Sequence, residues 1–394
     1  MRNAEFQGRV ESRHEARTAI PHSTFRIPHL GGVVKVLLAG GGTGGHLMPA
    51  LALAQALQDA GKGIEPVLVG AERGIEAQVL PHYPFRHHLL PMEPIYRRTW
   101  WNNLRWLLIA GRAWRAVGRV LDAERPAIVV GTGGYAAGPV VWRAQRRRIP
   151  TVLQEQNAFP GLATRWLARD ARQVHLGFPE AGKLLRVGPR TAVFALGNPI
   201  REPEPGNRDA AVAELGLLPS RPTLLVFGGS QGARAINYAL AGALERRLLD
   251  GVNVVWGTGT AQADALARYA VAGRVVVRGF FDPMAPVYRA ADMVVARAGA
   301  MTVAELCAWG KPSILVPLPT AAADHQTRNA AALAAAGAAI HVPEERLTPY
   351  TLAQEVTSLV ADGARLESLG TLARGRGHPA AAREIVSKIL TLIP

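Results

Sequence analysis

The sequence predicts an α/β protein: two Rossmann-like domains with parallel sheets, facing each other across a cleft. Three observations predict it. From Val33 onward, short apolar β-rich runs alternate with helical stretches, the pattern of parallel sheets covered on both faces. GNPIREPEPGNRD, residues 197–209, interrupts the alternation near its middle with proline, glycine and charge, a linker composition. Each half also opens alike, with a strand, a glycine turn and a helix: VLLAGGGTGGH in the first, LLVFGGSQGARAIN in the second. Ligands of such sheets bind at the carboxyl ends of the strands, where both glycine loops would lie.

In chain order, the expected strands of the first half are VVKVLLA, IEPVLVG, HHLLPM, AIVVGTG, TVLQEQ, QVHLGF and TAVFAL. Those of the second half are TLLVFGG, VNVVWG, RVVVRGF, DMVVARAG, SILVPLP and AAIHVP. The expected boundaries are an extension over 1–32, a first domain over 33–197 and a second over 198–378. A final helix over 379–394, PAAAREIVSKILTLIP, follows the RGRGHP loop and is expected to cross back onto the first domain.

A chain of 394 residues suits two domains. Cys307 is the only cysteine, which excludes an internal disulfide and suits a reducing cytoplasm. The formal charge of +15 points to nucleic acid, an anionic membrane face, or acidic small substrates such as nucleotides and pyrophosphates. Zinc-ligand spacing, an RNP-like aromatic strand and a continuous basic tail are all missing, so nucleic acid is not an expected partner. No apolar run reaches transmembrane length. Residues 1–32 mix both charge signs without an apolar h-region; they read as a poorly ordered extension or a start codon placed too early, not as a secretory signal.

The first glycine loop poses the question of whose phosphate it holds. Gly40, Gly42 and Gly45 satisfy G-x-G-x-x-G after a strand, and Glu72 could serve as the acidic residue of a dinucleotide site. A Walker loop is excluded, because no Lys-Ser or Lys-Thr follows the glycines. His46 argues against the dinucleotide. It stands at the mouth of the helix, where a pyrophosphate would have to pass close. There it suits a base for a hydroxyl nucleophile, or else a capping or packing role.

Three more polar insertions stand at strand ends of the second half. FGGSQGAR, residues 227–234, is a second anion-binding turn in which Ser230 and the following amides can face a diphosphate; alternatively its glycines serve only tight packing. In RAGAMTVAE, residues 297–305, Gly299 permits close backbone approach, Thr302 can cap, and Glu305 lies one helical turn in. Glu305 suits the two hydroxyls of a ribose, or is a solvated first-turn carboxylate. In DHQTRNA, residues 324–330, Asp324 and Gln326 suit sugar hydroxyls, or Asp324 is an N-cap.

GGGTGGH, GTGGYAAGP, LQEQNAFPG, LGNPIR, FGGSQGAR, RAGAMTVAE and DHQTRNAAAL occur in this order. From about Val33 to the C-terminus the chain closely resembles the MurG family of bacterial glycosyltransferases. The resemblance implies the GT-B architecture and transfer of N-acetylglucosamine from UDP-GlcNAc to undecaprenyl-pyrophosphoryl-MurNAc-pentapeptide (lipid I), giving lipid II. By position it implies His46 as base. It puts Thr43, Gly44 and Gly45 near the donor sugar and the acceptor pyrophosphate, and Asn157 and Arg201 on the donor. Ser230 falls on the UDP phosphates, and Ala300, Met301, Thr302, Val303, Ala304 and Glu305 on uridine and ribose, with Glu305 on the ribose. Gln326 falls on the GlcNAc hydroxyls, and Gly133, Gly134 and Tyr135 belong to the acceptor-side loop. Two positions depart from the pattern: Ala298 replaces a common serine, and Phe281 stands where an aliphatic residue often holds the uracil through its backbone.

The implied reaction is inverting glycosyl transfer, with the departing diphosphate stabilised at the Ser230 helix start and by Arg201. No Asp-x-Asp pair stands at a strand end, so no metal or other cofactor is expected. The acceptor is a lipid, so peripheral attachment to the anionic cytoplasmic face of the inner membrane is expected, along with contacts to other cell-wall synthesis proteins. Residues 95–121 fit an interfacial helix: Trp101, Leu104 and Leu108 share a face, flanked by arginines 97, 98, 105, 112, 115 and 119. The alternative is an ordinary amphipathic helix packed on its sheet, with Trp100, Trp101 and Arg97–Arg98 still left for membrane contact. RAQRRRIP, residues 143–150, adds positive surface. Competing functions are another UDP-sugar transferase of this architecture acting on a glycolipid, a nicotinamide oxidoreductase, and a non-catalytic lipid- or nucleotide-binding protein.

Overall fold

The structure, a computed structural model, describes residues 33–61, 63–93, 106–204, 206–229 and 232–393, with only the backbone of 106–109. The expected extension over 1–32 lies outside the described residues. Every apolar run named above forms a strand. The first sheet contains β1 (Val34–Gly40), β2 (Ile64–Ala71), β3 (Arg86–Leu90), β4 (Ile128–Gly133), β5 (Thr151–Glu155), β6 (Gln173–Leu176) and β7 (Ala192–Phe194). The second contains β8 (Thr223–Phe227), β9 (Asn253–Gly257), β10 (Val275–Arg278), β11 (Met293–Ala296), β12 (Ser313–Leu315) and β13 (Ile340–His341).

Strand order is β3-β2-β1-β4-β5-β6-β7 in the first sheet and β10-β9-β8-β11-β12-β13 in the second. Every ladder is parallel. Both sheets are therefore doubly wound, which is the GT-B arrangement. The central strands are apolar throughout because helices cover both faces: Val36, Leu37, Leu38 and Ala39 of β1 are fully buried, as are Leu224, Leu225 and Val226 of β8. Each such leucine contributes about 1.5–3 kcal/mol by leaving water.

Strand order reverses between β1 and β4, and again between β8 and β11. These switch points open the crevices in which doubly wound sheets bind ligands. GGGTGGH leaves β1, GTGGY leaves β4, Gly228 and Gly229 follow β8 and RAGAMT leaves β11, so these insertions gather at the two switch points. In the first sheet the β1–β4 register slips between Ala39 and Gly40, which brings Gly40 opposite Gly133.

Between β7 and the next helix, Arg208–Glu214, the described chain forms neither strand nor helix. The Ala381–Leu390 helix packs against the Gly44–Asp59 helix. Gln173 at the start of β6 donates to the Lys388 carbonyl at 2.8 Å, and the Lys388 ammonium stands 5.4 Å from the Phe194 ring centroid.

The Trp106–Glu124 helix buries Ala113, Ala116, Val117, Val120 and Leu121 and leaves Arg112, Arg115 and Arg119 in water. Over its described part it is thus an amphipathic helix packed on its own domain. Trp100, Trp101, Leu104 and arginines 97, 98 and 105 lie outside the described residues, and the Leu108 side chain is not described. Among the described residues no helix is long and apolar enough to cross a membrane.

The close approach of β1 and β4 needs glycine at position 40. A Cβ there would lie 1.9 Å from Thr132 Oγ1 and 2.7 Å from the His46 carbonyl oxygen. Gly40→Ala is expected to lower stability by about 1–3 kcal/mol, the usual range for overpacking. Chemical denaturation of the two proteins measures the difference; an unchanged midpoint would contradict the contact.

Candidate active site

Three strand ends of the first sheet meet at one imidazole. Thr43 is the N-cap of the Gly44–Asp59 helix, and its side chain makes no capping bond. Gly44 and Gly45 are helical residues, so the loop expected to contain them is shorter than the sequence suggested. His46 follows in the first turn, half-buried. Thr132, near the end of β4, donates its hydroxyl to the His46 carbonyl at 2.8 Å. Gly133 and Gly134 have φ of 98° and 76°. A Cβ on Gly133 would stand 2.7 Å from His46 Nδ1, and one on Gly134 would stand 1.8 Å from the Gly41 carbonyl oxygen. The glycine turn after β4 is the surface on which the imidazole lies. From the end of β5, Gln156 brings its Oε1 to 3.2 Å from His46 Nδ1. The Tyr135 ring covers Gly42, where a Cβ would meet it at 2.5 Å. The His46 ring is thus held by side-chain contact at one nitrogen.

Beneath the loop lies a carboxylate that sequence reasoning missed. Glu76 is fully buried, and its Oε1 accepts the Gly42 N–H. Gly41, Gly70 and Gly74 surround the side chain: a Cβ on Gly41 or Gly74 would lie within 1.7 Å of a carboxylate oxygen, and one on Gly70 would lie 2.6 Å from Glu76 Cβ and Cγ. Among the described residues its Oε2 has no partner. Burial raises the Glu76 pKa, against the Gly42 bond and the His46 charge, which lower it. The only signal in the sequence was the second glutamate of ERGIEAQV, which nothing tied to the glycine loop.

The β5 end is a buried polar turn. Glu155 Oε1 accepts from the Asn157 backbone at 3.1 Å, and Oε2 accepts from Gly161 at 3.0 Å. Asn157 and Ala158 then reach the second half. Asn329, fully buried on the His325–Ala335 helix, donates to Asn157 Oδ1 at 3.2 Å and accepts from the Ala158 N–H at 2.9 Å. Asn198 donates to the Gln156 carbonyl at 3.0 Å and the Ala300 carbonyl at 3.4 Å. The Arg328 guanidinium lies 4.1 Å from the Phe159 ring centroid. Arg201 is exposed just beyond this crossing.

On the second sheet, Gly299 is the N-cap of the Ala300–Ala308 helix and no side chain caps it, so Thr302 does not cap. Glu305 is not a solvated first-turn carboxylate. It is partly buried, accepts the Tyr288 hydroxyl at 2.7 Å, and has its pKa raised by burial, which outweighs that bond. Met301, Thr302 and Ala304 are half-buried around it, and Val303 is buried. Phe281 is buried beside Gly257, under the Arg278 guanidinium at 5.6 Å. Asp324 is left-handed and makes no N-cap bond; it accepts the Thr327 hydroxyl instead. Gln326 Oε1 accepts the Leu318 N–H at 3.0 Å, which leaves its amide hydrogens as donors. His325, beside it, has its pKa lowered, chiefly by burial. Ser230 lies outside the described residues; the next helix begins at Arg234.

The comparisons agree with this architecture. Residues 36–176 match the glycosyltransferase family 28 N-terminal domain, and residues 223–385 match its C-terminal domain. A protein of Chlorobaculum parvum is 42% identical over 367 residues, covering 91% of this chain and 99% of that protein. A protein of Anaeromyxobacter dehalogenans is 40% identical over 364 residues, covering 91% and 93%. Both are named UDP-N-acetylglucosamine–N-acetylmuramyl-(pentapeptide) pyrophosphoryl-undecaprenol N-acetylglucosamine transferase. The crystal structure of Acinetobacter baumannii MurG superposes with a TM-score of 0.72 at 29% identity, covering 91% of this chain and 99% of that one. The calicheamicin glycosyltransferase CalG4, at 18% identity and a TM-score of 0.65, shares the fold.

Glu76 supplies a pH test of the loop. Its folded pKa is raised, so its contribution to stability is full below about pH 4.5 and is lost as pH rises through the folded value. Glu76→Gln removes that loss. The variant's unfolding midpoint relative to wild type is expected to rise as pH increases through this window; a pH-independent difference would contradict a buried, ionising Glu76. By both domain matches and these relatives, the chain belongs to glycosyltransferase family 28 and, within it, to the MurG family.

Proposed function

We propose that this chain transfers N-acetylglucosamine from UDP-GlcNAc to the C4 hydroxyl of MurNAc in undecaprenyl-pyrophosphoryl-MurNAc-pentapeptide, with inversion, giving lipid II for peptidoglycan synthesis. The observation that carries the reading is an imidazole held by Gln156 at the first sheet's switch point, on a helix that packs against the Ala300–Ala308 helix of the second sheet.

His46 takes the role of base. Its free ring nitrogen accepts the proton as the C4 O–H bond breaks. The oxygen bonds to the anomeric carbon of GlcNAc, and the bond from that carbon to UDP breaks, leaving its electron pair on the diphosphate. The diphosphate gains charge as it leaves. Helix starts and backbone amides of the glycine turns answer that charge, with Ser230 and Arg201 as its polar and cationic partners. Glu305 takes the ribose hydroxyls, Phe281 and the Ala300–Ala304 turn the uracil, and Gln326 and Asn157 the sugar. Thr43, Gly44 and Gly45 stand between donor and acceptor, and Gly133, Gly134 and Tyr135 on the acceptor side. Closure of the two halves over the donor excludes water and so limits hydrolysis.

The acceptor is membrane-bound, so the enzyme works as a peripheral protein on the cytoplasmic face of the inner membrane, in cell-wall growth, shape and division. The exposed arginines 112, 115, 119, 146 and 148 support attraction to an anionic surface.

The test is transfer of labelled sugar from UDP-GlcNAc, UDP-glucose and UDP-galactose to a short-chain lipid I analogue, with and without EDTA. Transfer from UDP-GlcNAc alone, unchanged by EDTA, is expected. No transfer to lipid I, with transfer from any UDP-sugar to diacylglycerol, would keep the architecture and overturn the function in favour of a different glycolipid transferase.

A further inference from the structure

Gln156 is almost fully buried, and its amide is used at both ends. Nε2 donates to the Thr132 carbonyl at 2.8 Å and to the Gln154 carbonyl at 2.9 Å, which consumes both amide hydrogens. Turning the amide over would press its oxygen against two buried carbonyls, so its orientation is fixed. Oε1 therefore faces His46 Nδ1, at 3.2 Å, as an acceptor without a hydrogen of its own. The contact is a hydrogen bond only if Nδ1 carries the proton. The ring cannot settle lower or turn freely, because the Gly133–Gly134 backbone lies against it. Among the described residues no protein group is bonded to Nε2.

We infer that Gln156 is a positioning residue that holds neutral His46 as the Nδ1–H tautomer, leaving the Nε2 lone pair to take the proton of the attacking hydroxyl. The inference rests on the proposed role of His46 and goes beyond it by assigning the reactive nitrogen and the residue that selects it. Once Nε2 is protonated, Nδ1–H still donates to the same oxygen, so the contact survives proton uptake without rearrangement. An uncharged amide does here what a carboxylate does in serine-protease triads, where imposing the wrong tautomer costs about 10⁴ in kcat. The chain between the partners is long: His46 and Gln156 are 110 residues apart, joined only by the β1-β4-β5 order.

The test uses the full chain labelled with ¹⁵N-histidine, with the His46 signals identified by their loss in His46→Gln. In wild type at a pH where the ring is neutral, Nδ1 is expected to give the pyrrole-type signal and Nε2 the pyridine-type signal. Gln156→Met removes both ends of the amide, whereas Gln156→Glu keeps an acceptor toward Nδ1 but loses both donors. Met is expected to mix the tautomers and lower kcat about tenfold or more, with the KM for UDP-GlcNAc unchanged. Glu is expected to restore the Nδ1–H signal and part of kcat, at the cost of an oxygen set beside the two carbonyls. If Gln156 served only to satisfy the two carbonyls, Glu would fare no better than Met. That result, or a wild-type His46 protonated at Nε2, overturns the inference, and the wild-type spectrum decides it even where a variant does not fold. Full turnover by His46→Gln would instead remove the base assignment and leave the tautomer measurement standing.

Discussion

The imidazole of His46 occupies space that exists because two neighbouring residues carry no side chain. A Cβ at Gly133 would collide with the ring, and one at Gly134 with the backbone of the glycine loop. Once the turn after β4 is made of glycine, the first-turn helix residue can lie down on it, Thr132 can fix the helix backbone, and Gln156 can reach the ring from β5. Remove the close approach and these contacts cannot form together. Positive φ at both glycines has the same origin: the strand must turn sharply into a helix while staying under the ring.

The two halves are joined by directional polar bonds rather than by apolar contact alone. Asn329 takes one bond from, and gives one to, the turn that follows Gln156; Asn198 ties the Gln156 and Ala300 carbonyls. Buried amide bonds of this kind lose their value when a partner shifts, so they fix a specific juxtaposition of the sheets. They also place Asn157, a proposed sugar contact, in a bond to the opposite half.

Much of the architecture was legible because a doubly covered parallel sheet writes itself as uninterrupted apolar runs, from VKVLLAG to the two-residue β13. The glycine and polar insertions were legible as site elements because they sit at strand ends. What stayed hidden depends on which strands become neighbours. Gln156 and Asn329 stood inside quoted motifs, yet their partners Thr132, His46, Asn157 and Ala158 belong to other elements, and nothing local singled out Glu76. Local reading also erred at helix starts. Thr302 was suited by type to capping, but a glycine caps its helix; Asp324 does stand at an N-cap, in a left-handed backbone, but its side chain bonds Thr327 and caps no backbone N–H. Glu305 reads as a first-turn carboxylate until Tyr288, 17 positions away, is found bonded to it.

The central claim is that the converging strand ends serve one proton transfer. Replacing His46 with glycine, then measuring transfer at saturating donor and acceptor with and without added imidazole, tests it most directly. The account predicts a fall in kcat of about 10²–10⁴ with UDP affinity retained, and partial recovery when free imidazole fills the vacated space. Undiminished turnover by the glycine variant would contradict it.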